Sequence, residues 1–74
     1  MNSQEQVVID IQKSPTQRIR VSHRSFKGRR YVDVRLLVVN AAGDFVPTQK
    51  GLMVRPELLP QVIQGLTLAS QEAR

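Results

Sequence analysis

The chain has 74 residues, a formal net charge of +5 and no cysteine, which excludes disulfides and thiolate metal sites. A single domain of this length buries only ~60% of the surface that its unfolded chain exposes, so it usually needs a further source of stability, such as a metal or a partner subunit. One histidine cannot hold a metal without several carboxylates beside it, so the composition favours oligomerisation, and the charge favours a polyanionic partner.

The chain begins with two predicted strands. Residues 1–6 are polar and are predicted to be disordered, and one domain follows over residues 7–74. Alternation of apolar and polar residues predicts a strand from Val7 to Gln12 and a second strand from Thr16 to Phe26. In the second strand the arginines all occupy even-numbered positions, so their side chains lie on one face of the sheet. The strand ends at a predicted turn, Lys27-Gly28, where glycine provides the backbone freedom.

The third predicted strand, Arg29 to Val39, has the clearest strand pattern in the chain. Its even-numbered residues after Arg30 are apolar and mostly β-branched, which predicts that they face the core, whereas the odd-numbered residues face solvent. The predicted core-facing set is Val32, Val34, Leu36 and Val38, and the predicted solvent-facing set is Tyr31, Asp33, Arg35 and Leu37. After a turn, residues 44–46 are predicted to form a short extended segment, residues 47–49 a loop, and Lys50 to Val54 the fourth strand.

The last segment changes to a helical period. An irregular turn is predicted at 56–59, with a regular helix starting near Pro60, because proline lacks an N–H and fits only the first turn of a helix. Four strands followed by one helix predict an α+β fold, in which the helix covers one face of an antiparallel sheet and the arginines occupy the other. One thin sheet offers little surface to cover this apolar stripe, which again favours a homodimer. The stripe consists of Leu59, Val62, Ile63, Leu66, Ala69 and Ala73.

The basic charge is concentrated in one segment around the second turn. Between Arg18 and Arg35 there are seven basic residues and one acid. Phe26 lies among these basic residues and shares the parity of Arg20 and Arg24. An exposed ring beside cations suits single-stranded nucleic acid, because the cations guide the phosphate chain and the ring stacks on an unpaired base. The alternative is that Phe26 is an ordinary core residue.

Three stretches of the chain resemble a known family. The run FKGRRYVDVR, the later GDFVPTQKGL and the following RPELL have the order and spacing of the DNA-binding domain of the transcriptional positive cofactor four family. The resemblance covers residues 7 to about 73, and it needs no gap from Phe26 to Leu59. The chain is most similar to a compact bacterial or phage-like form of the family.

The resemblance implies a fold, an assembly and a set of contacts. It implies four curved antiparallel strands followed by one C-terminal helix, a homodimer, and grooves that bind single-stranded DNA or melted duplex in transcription regulation or genome maintenance. Two positions depart from the family pattern: Val38 stands where the eukaryotic form has a stacking tryptophan, and Gln49 where a basic residue precedes the last K-G. The positions that match the family's nucleic-acid contacts are Arg24, Phe26, Lys27, Arg29, Arg35 and Lys50.

Other function classes have less support in the sequence. No carboxylate pair, catalytic triad or metal-ligand spacing can be assigned, so no enzymatic activity, cofactor or small-molecule substrate is expected. No apolar run is long enough for a membrane span and the helix is poor in basic residues, so a cytoplasmic, nucleoid-associated protein without a membrane partner is expected. RNA remains an alternative ligand, because stacking and phosphate contacts hardly distinguish it from DNA. A protein-interaction module that binds an acidic partner is the second alternative.

Four further residues have predicted roles outside the contact set. His23 falls on the apolar parity and is predicted to be a packed or interface residue. Asp33 is predicted to orient or partner an arginine, because it lies two residues from Arg35 on the same face. Tyr31 either stacks on a base or covers the sheet, and Arg30 has the parity opposite to Arg29, which places it outside the core contacts.

Overall fold

The computed structural model describes residues 5–73 and has one antiparallel sheet followed by a helix. The strands lie side by side in the order β1-β2-β3-β4. The predicted α+β fold, with four antiparallel strands and one C-terminal helix, is confirmed. The elements are β1 (Gln6–Ser14), β2 (Gln17–Phe26), β3 (Arg29–Val39), β4 (Phe45–Val54), a single 3₁₀ turn (Pro56–Leu58) and α1 (Leu59–Glu72).

The ends of the chain agree closely with the predicted boundaries. β1 begins at Gln6 and ends at Ser14, so it is longer than the predicted strand at both ends. Disorder was predicted for residues 1–6; residues 1–4 lie outside the described residues, and Gln6 belongs to β1. The irregular turn before the helix is confirmed as the 3₁₀ turn, and α1 begins one residue before Pro60. Among the described residues, neither helical segment has the length and apolar character that crossing a membrane requires.

The fourth strand is longer than predicted, and the predicted loop at 47–49 is wrong. Leu37 pairs with Pro47 and Arg35 pairs with Gly51, so three β4 residues lie opposite one β3 residue. This bulge keeps the strand continuous, because the Thr48 hydroxyl donates to the Leu36 carbonyl (2.8 Å) and accepts from the Lys50 N–H (3.1 Å). Pro47 is tolerated because β4 is an edge strand. On the outer side of an edge strand a residue needs no N–H to pair with a neighbouring strand.

The deepest burial lies on the face that was predicted to be solvent-facing. We call this side of the sheet the polar face; it carries the even-numbered residues of β2 and the odd-numbered residues of β3, which pair across the strands. Leu37 is 1% exposed there, and Ser22 and Asp33 are also buried. The prediction that Leu37 and Asp33 face solvent is therefore wrong. Long side chains from neighbouring strands cover this face, and the Arg18 guanidinium lies 3.8 Å from the centre of the Phe45 ring.

The opposite side of the sheet, which we call the apolar face, is only partly covered. α1 borders it, but no residue of α1 is buried along its described length. Between sheet and helix there is an open groove of about 490 Å³. Leu52 on its floor is 58% exposed, so the predicted covering of the sheet by the helix is incomplete within one chain. The groove is lined by Val21, Val32, Val34, Gly51, Leu52, Val54, Leu59, Val62, Ile63 and Leu66.

Candidate nucleic-acid interface

The β2–β3 turn holds an aromatic ring and a cation in solvent. Lys27 and Gly28 both have positive φ (52° and 77°), as a tight two-residue hairpin turn requires. Phe26 is 56% exposed, so the alternative of a core phenylalanine is wrong. The Lys27 ammonium lies 5.4 Å from the centre of the Phe26 ring, and Arg29 is the cross-strand partner of Phe26 on the same face. The turn therefore presents one exposed ring flanked by two cations.

A buried carboxylate fixes the arginine at the centre of the polar face. Arg35 donates from Nε and Nη2 to the two carboxylate oxygens of Asp33 (3.0 and 2.8 Å), a bidentate pair. Its Nη1 also donates to the Thr48 carbonyl (3.0 Å), across the bulge of β4. The Arg24 guanidinium approaches the same carboxylate at 3.9 Å. The prediction that Asp33 partners an arginine is confirmed.

Arg35 stays positively charged, and part of its guanidinium group remains available to donate further hydrogen bonds. The hydrogen bonds to Asp33 raise the pKa of Arg35, and this outweighs the opposing effect of burial. The side chain is 18% exposed, and three of the five N–H groups of its guanidinium are used by Asp33 and Thr48. Two N–H groups remain for a ligand that reaches this surface, in an orientation that the protein has already fixed.

Gly51 makes room for this arginine. A Cβ at position 51 would lie 2.7 Å from Cζ of Arg35 and 2.8 Å from the carbonyl oxygen of Val34. Both distances are shorter than any stable carbon contact, so a side chain here would push the guanidinium off β4 or bend the strand. Gly51 therefore leaves the space that the Arg35 guanidinium occupies beside β4.

These side chains border an open cleft of about 440 Å³ on the polar face, which we call the Phe26 cleft. It brings together three of the six predicted contact residues, Arg24, Phe26 and Arg35. Lys27 and Arg29 flank the cleft at the turn, whereas Lys50 is exposed in the bulge beside Gly51. The remaining lining residues come mainly from the β4 segment predicted to be a loop, so the sequence did not predict them as contacts. They are Ser25, Pro47, Thr48, Gln49 and Met53.

Of the two positions that depart from the family pattern, one lines the Phe26 cleft and the other does not. Gln49 lines the Phe26 cleft, so an amide takes the place of a cation at this border. Val38 pairs with Gln17 and therefore lies on the apolar face, away from the cleft. Tyr31 is half-buried opposite Arg24 on the polar face, and His23 is half-buried opposite Val32 on the apolar face.

The basic residues at the far end of the polar face are already engaged. Arg20 donates to both carboxylate oxygens of Asp10 on β1 (2.7 and 2.9 Å), and this hydrogen bonding lowers the pKa of Asp10. Arg18 donates to the Gln12 side chain (3.0 Å) and covers Phe45. The available positive charge is therefore concentrated at the β2–β3 turn. Among residues 5–73 no cluster of three histidine or acidic side chains is placed to hold a metal ion.

Comparison with known proteins identifies the family of this chain. Residues 13–65 match the family model described as Transcriptional Coactivator p15 (PC4), which confirms the resemblance noted in the sequence. Comparison with curated proteins gave no significant match.

Solved structures of PC4 homologues have a similar fold. A homologue from Burkholderia pseudomallei, in an orthorhombic crystal form, is 62% identical over 97% of each chain, with a TM-score of 0.87. A tetragonal form of that homologue is 66% identical, covers 90% of this chain and 98% of its own, and has a TM-score of 0.86. The bacteriophage T5 homologue of the eukaryotic coactivator, implicated in recombination-dependent DNA replication, is 20% identical over 93% of this chain and 80% of its own. Its TM-score of 0.74 shows a shared fold.

Proposed function

The chain belongs to the PC4 family of transcriptional coactivators, and from this premise we propose that it binds single-stranded DNA on the polar face of its sheet. The observation that carries the proposal is an exposed Phe26 ring in one cleft with Arg24 and with Arg35, which a buried carboxylate holds. We further propose that it acts as a homodimer in transcription regulation or genome maintenance, as a cytoplasmic, nucleoid-associated binding protein without catalytic activity.

The geometry favours a single strand over a duplex. An unpaired base can lie flat on the Phe26 ring, a contact worth ~1–3 kcal/mol, whereas a paired base in a duplex has no free face. The Phe26 cleft is open and lined mostly by polar or aromatic side chains, so a flexible strand can follow it. α1 contains no lysine or arginine, so the described residues include no basic helix that could enter a major groove.

The cations divide into two proposed roles. Arg24, Lys27, Arg29 and Lys50 contact phosphates, because they are exposed or border the Phe26 cleft without a close carboxylate partner at hydrogen-bonding distance among the described residues. Arg35 directs its two remaining N–H groups toward the bound strand from a fixed position. Such contacts recognise backbone and stacking surface, so we expect little sequence preference.

The homodimer is proposed from the open apolar groove. Apolar side chains on both the sheet and α1 border it, and water contact with so much apolar surface is unfavourable. A second copy presents the same groove, so the two apolar faces can cover each other about a twofold axis. The polar faces then point outward, and the dimer carries two Phe26 clefts.

Fluorescence anisotropy with labelled oligonucleotides of one length tests the ligand. We expect single-stranded DNA to bind more tightly than duplex DNA. With about four phosphates neutralised, log K should fall with log salt with a slope of about −3, from ~0.7 per phosphate for single strands. Duplex binding that is equal or tighter, or affinity that is indifferent to salt, contradicts the proposal. An RNA oligonucleotide tests RNA as the alternative ligand. Competition by oligo-dT against an acidic protein tests the second alternative, a protein-interaction module that binds an acidic partner.

Light scattering tests the homodimer. The mass of the protein in solution should be twice 8.4 kDa at micromolar concentration. Ile63→Asp places a charge in the apolar groove and should shift the mass toward one chain. Leu68→Asp is the matched control, because Leu68 is exposed on the same helix but does not line the groove. A single-chain mass for the unmodified protein contradicts this proposal.

A further inference from the structure

A second basic cleft lies at the corner between the two faces of the sheet. It is an open space of about 290 Å³ where the β2–β3 turn meets the residues that follow β4. We call it the corner cleft, and it is lined by Arg29, Arg30, Arg55, Pro56 and Glu57. Two of these arginines, Arg30 and Arg55, are absent from the contact set that the sequence predicted.

The strand register explains how these arginines converge. Arg29 pairs with Phe26 and belongs to the polar face, whereas Arg30 pairs with Ser25 and belongs to the apolar face. Arg55 directly follows β4, whose last residues run beside the start of β3. Side chains from both faces and from the end of β4 therefore reach one corner, although they are distant in sequence.

The corner cleft has an excess of positive charge. Arg55 donates to the Glu57 carboxylate (3.0 Å), and both side chains are more than half exposed. Within the described part of the chain, the side chains of Arg29 and Arg30 have no hydrogen-bond or ion-pair partner, and both residues are exposed. The pKa of Glu57 is lowered first by its own backbone N–H and then by Arg55 and Arg29, so the carboxylate is ionised at neutral pH. Three guanidinium groups face one carboxylate.

We propose that the corner cleft binds a phosphate of the same strand that occupies the Phe26 cleft, so that the strand continues around the β2–β3 turn. This inference rests on the proposed function. Guanidinium groups match phosphate geometry through paired N–H donors, and three of them in one cleft exceed what Glu57 can neutralise. Arg29 joins the two sites, since it flanks Phe26 and also lines the corner cleft. The nucleic-acid footprint is therefore longer than the polar face alone.

The test compares Arg30→Gln/Arg55→Gln with the unmodified protein on oligo-dT of increasing length, by fluorescence anisotropy. On long strands the double variant should bind about tenfold more weakly, the range for a lost charged hydrogen bond. Its salt slope should be shallower by about 0.7, which corresponds to one phosphate. On the shortest strand that still binds, both proteins should have the same affinity, because such a strand fills only the Phe26 cleft.

Lys13→Gln is the control for a general loss of charge. Lys13 is exposed at the opposite end of the sheet, beside the β1–β2 turn. An equal loss of affinity in this variant, or an unchanged affinity and salt slope in the double variant, overturns the inference while the proposed function stands. If the unmodified protein fails to bind oligo-dT of any length, the proposed function fails and the inference with it.

Two further measurements separate a ligand site from a structural one. Thermal unfolding of the double variant should match that of the unmodified protein, because both substituted side chains are exposed. Its mass by light scattering without DNA should also be unchanged. A lower mass would mean that the corner cleft holds an acidic group of a second copy, which overturns the inference.

Discussion

The polar face of the sheet buries its centre, whereas the apolar face leaves much of its surface open. Both faces are built from alternate residues of the same strands. On the polar face, Leu37 and Asp33 are almost fully buried beneath arginine side chains and the bulge of β4. On the apolar face, Leu52 and Val34 are exposed although they line the same groove as residues of α1. Burial here follows the reach of the neighbouring side chains rather than the hydrophobicity of the face.

The difference has a simple physical origin. An arginine has a long apolar stem and can cover its own strand while its charged end meets a carboxylate or a ring. Valine and leucine are short, so an apolar face becomes buried only when another layer packs directly on it. The polar face is therefore structurally complete within one chain, and the apolar face requires a second copy in the proposed homodimer.

The largest expected effect comes from replacing one leucine on each face of the sheet by alanine. Leu37→Ala should lower the free energy of unfolding by about 2–5 kcal/mol, because it empties a fully buried site. Leu52→Ala should cost clearly less, since Leu52 is exposed in the single chain, and should act mainly on dimer dissociation. Urea unfolding over a series of protein concentrations measures both effects. Equal losses at the two positions would contradict the contrast between the faces.

Alanine substitutions at two glycines should change stability in opposite directions. Gly51→Ala should lower stability by about 1–3 kcal/mol, because the new Cβ collides with Arg35 and with the β3 backbone. It should also weaken binding of single-stranded DNA, since Arg35 loses its fixed orientation. Gly65→Ala in α1 meets nothing within 4 Å and should raise stability by up to about 1 kcal/mol. Thermal unfolding that leaves Gly51→Ala unchanged would show that Arg35 moves aside without cost.

The two phenylalanines of the polar face should separate binding from stability. Phe26→Ala should weaken binding of single-stranded DNA by ~1–3 kcal/mol and leave the melting temperature unchanged, because the ring is exposed beside the cleft. Phe45→Ala should do the reverse, because its ring supports Arg18 at the other end of the face. Anisotropy and thermal melting on the same samples measure both. A destabilised Phe26→Ala variant with normal affinity would return Phe26 to a packing role.

The smallest effect concerns the ion pair at the far end of the polar face. The hydrogen bond from Arg20 lowers the pKa of Asp10, so this pair stabilises the fold above the usual pKa of a carboxylate. That contribution is lost as the pH falls through the lowered pKa of Asp10. Asp10→Asn should therefore be less stable than the unmodified protein at neutral pH, by at most about 1 kcal/mol, with the difference vanishing in acid. Urea unfolding of both proteins at neutral and at acidic pH checks this. A difference in stability that is the same at both pH values would contradict it.

The sequence alone determined the order of the elements and part of the candidate site. Alternation in β2 and β3 fixed which residues share a face, because successive side chains of a strand point to opposite sides. The change to a helical period located α1 within one or two residues. The FKGRRYVDVR run identified the family, and it indicated the exposed ring at Phe26 and the arginine partnered by Asp33.

Only the tertiary structure decided which face is buried and where the clefts lie. Alternation separates two sets of residues but does not say what covers each set, so Leu37 was assigned to solvent although it is buried between its cross-strand partners Arg18 and Pro47. Proline and polar residues at 47–49 suggested a loop, and only pairing with β3 made them a bulge that lines the Phe26 cleft. The corner cleft joins arginines from separate segments. Periodicity is set by the local backbone, whereas burial and clefts depend on contacts between residues that are distant in the chain.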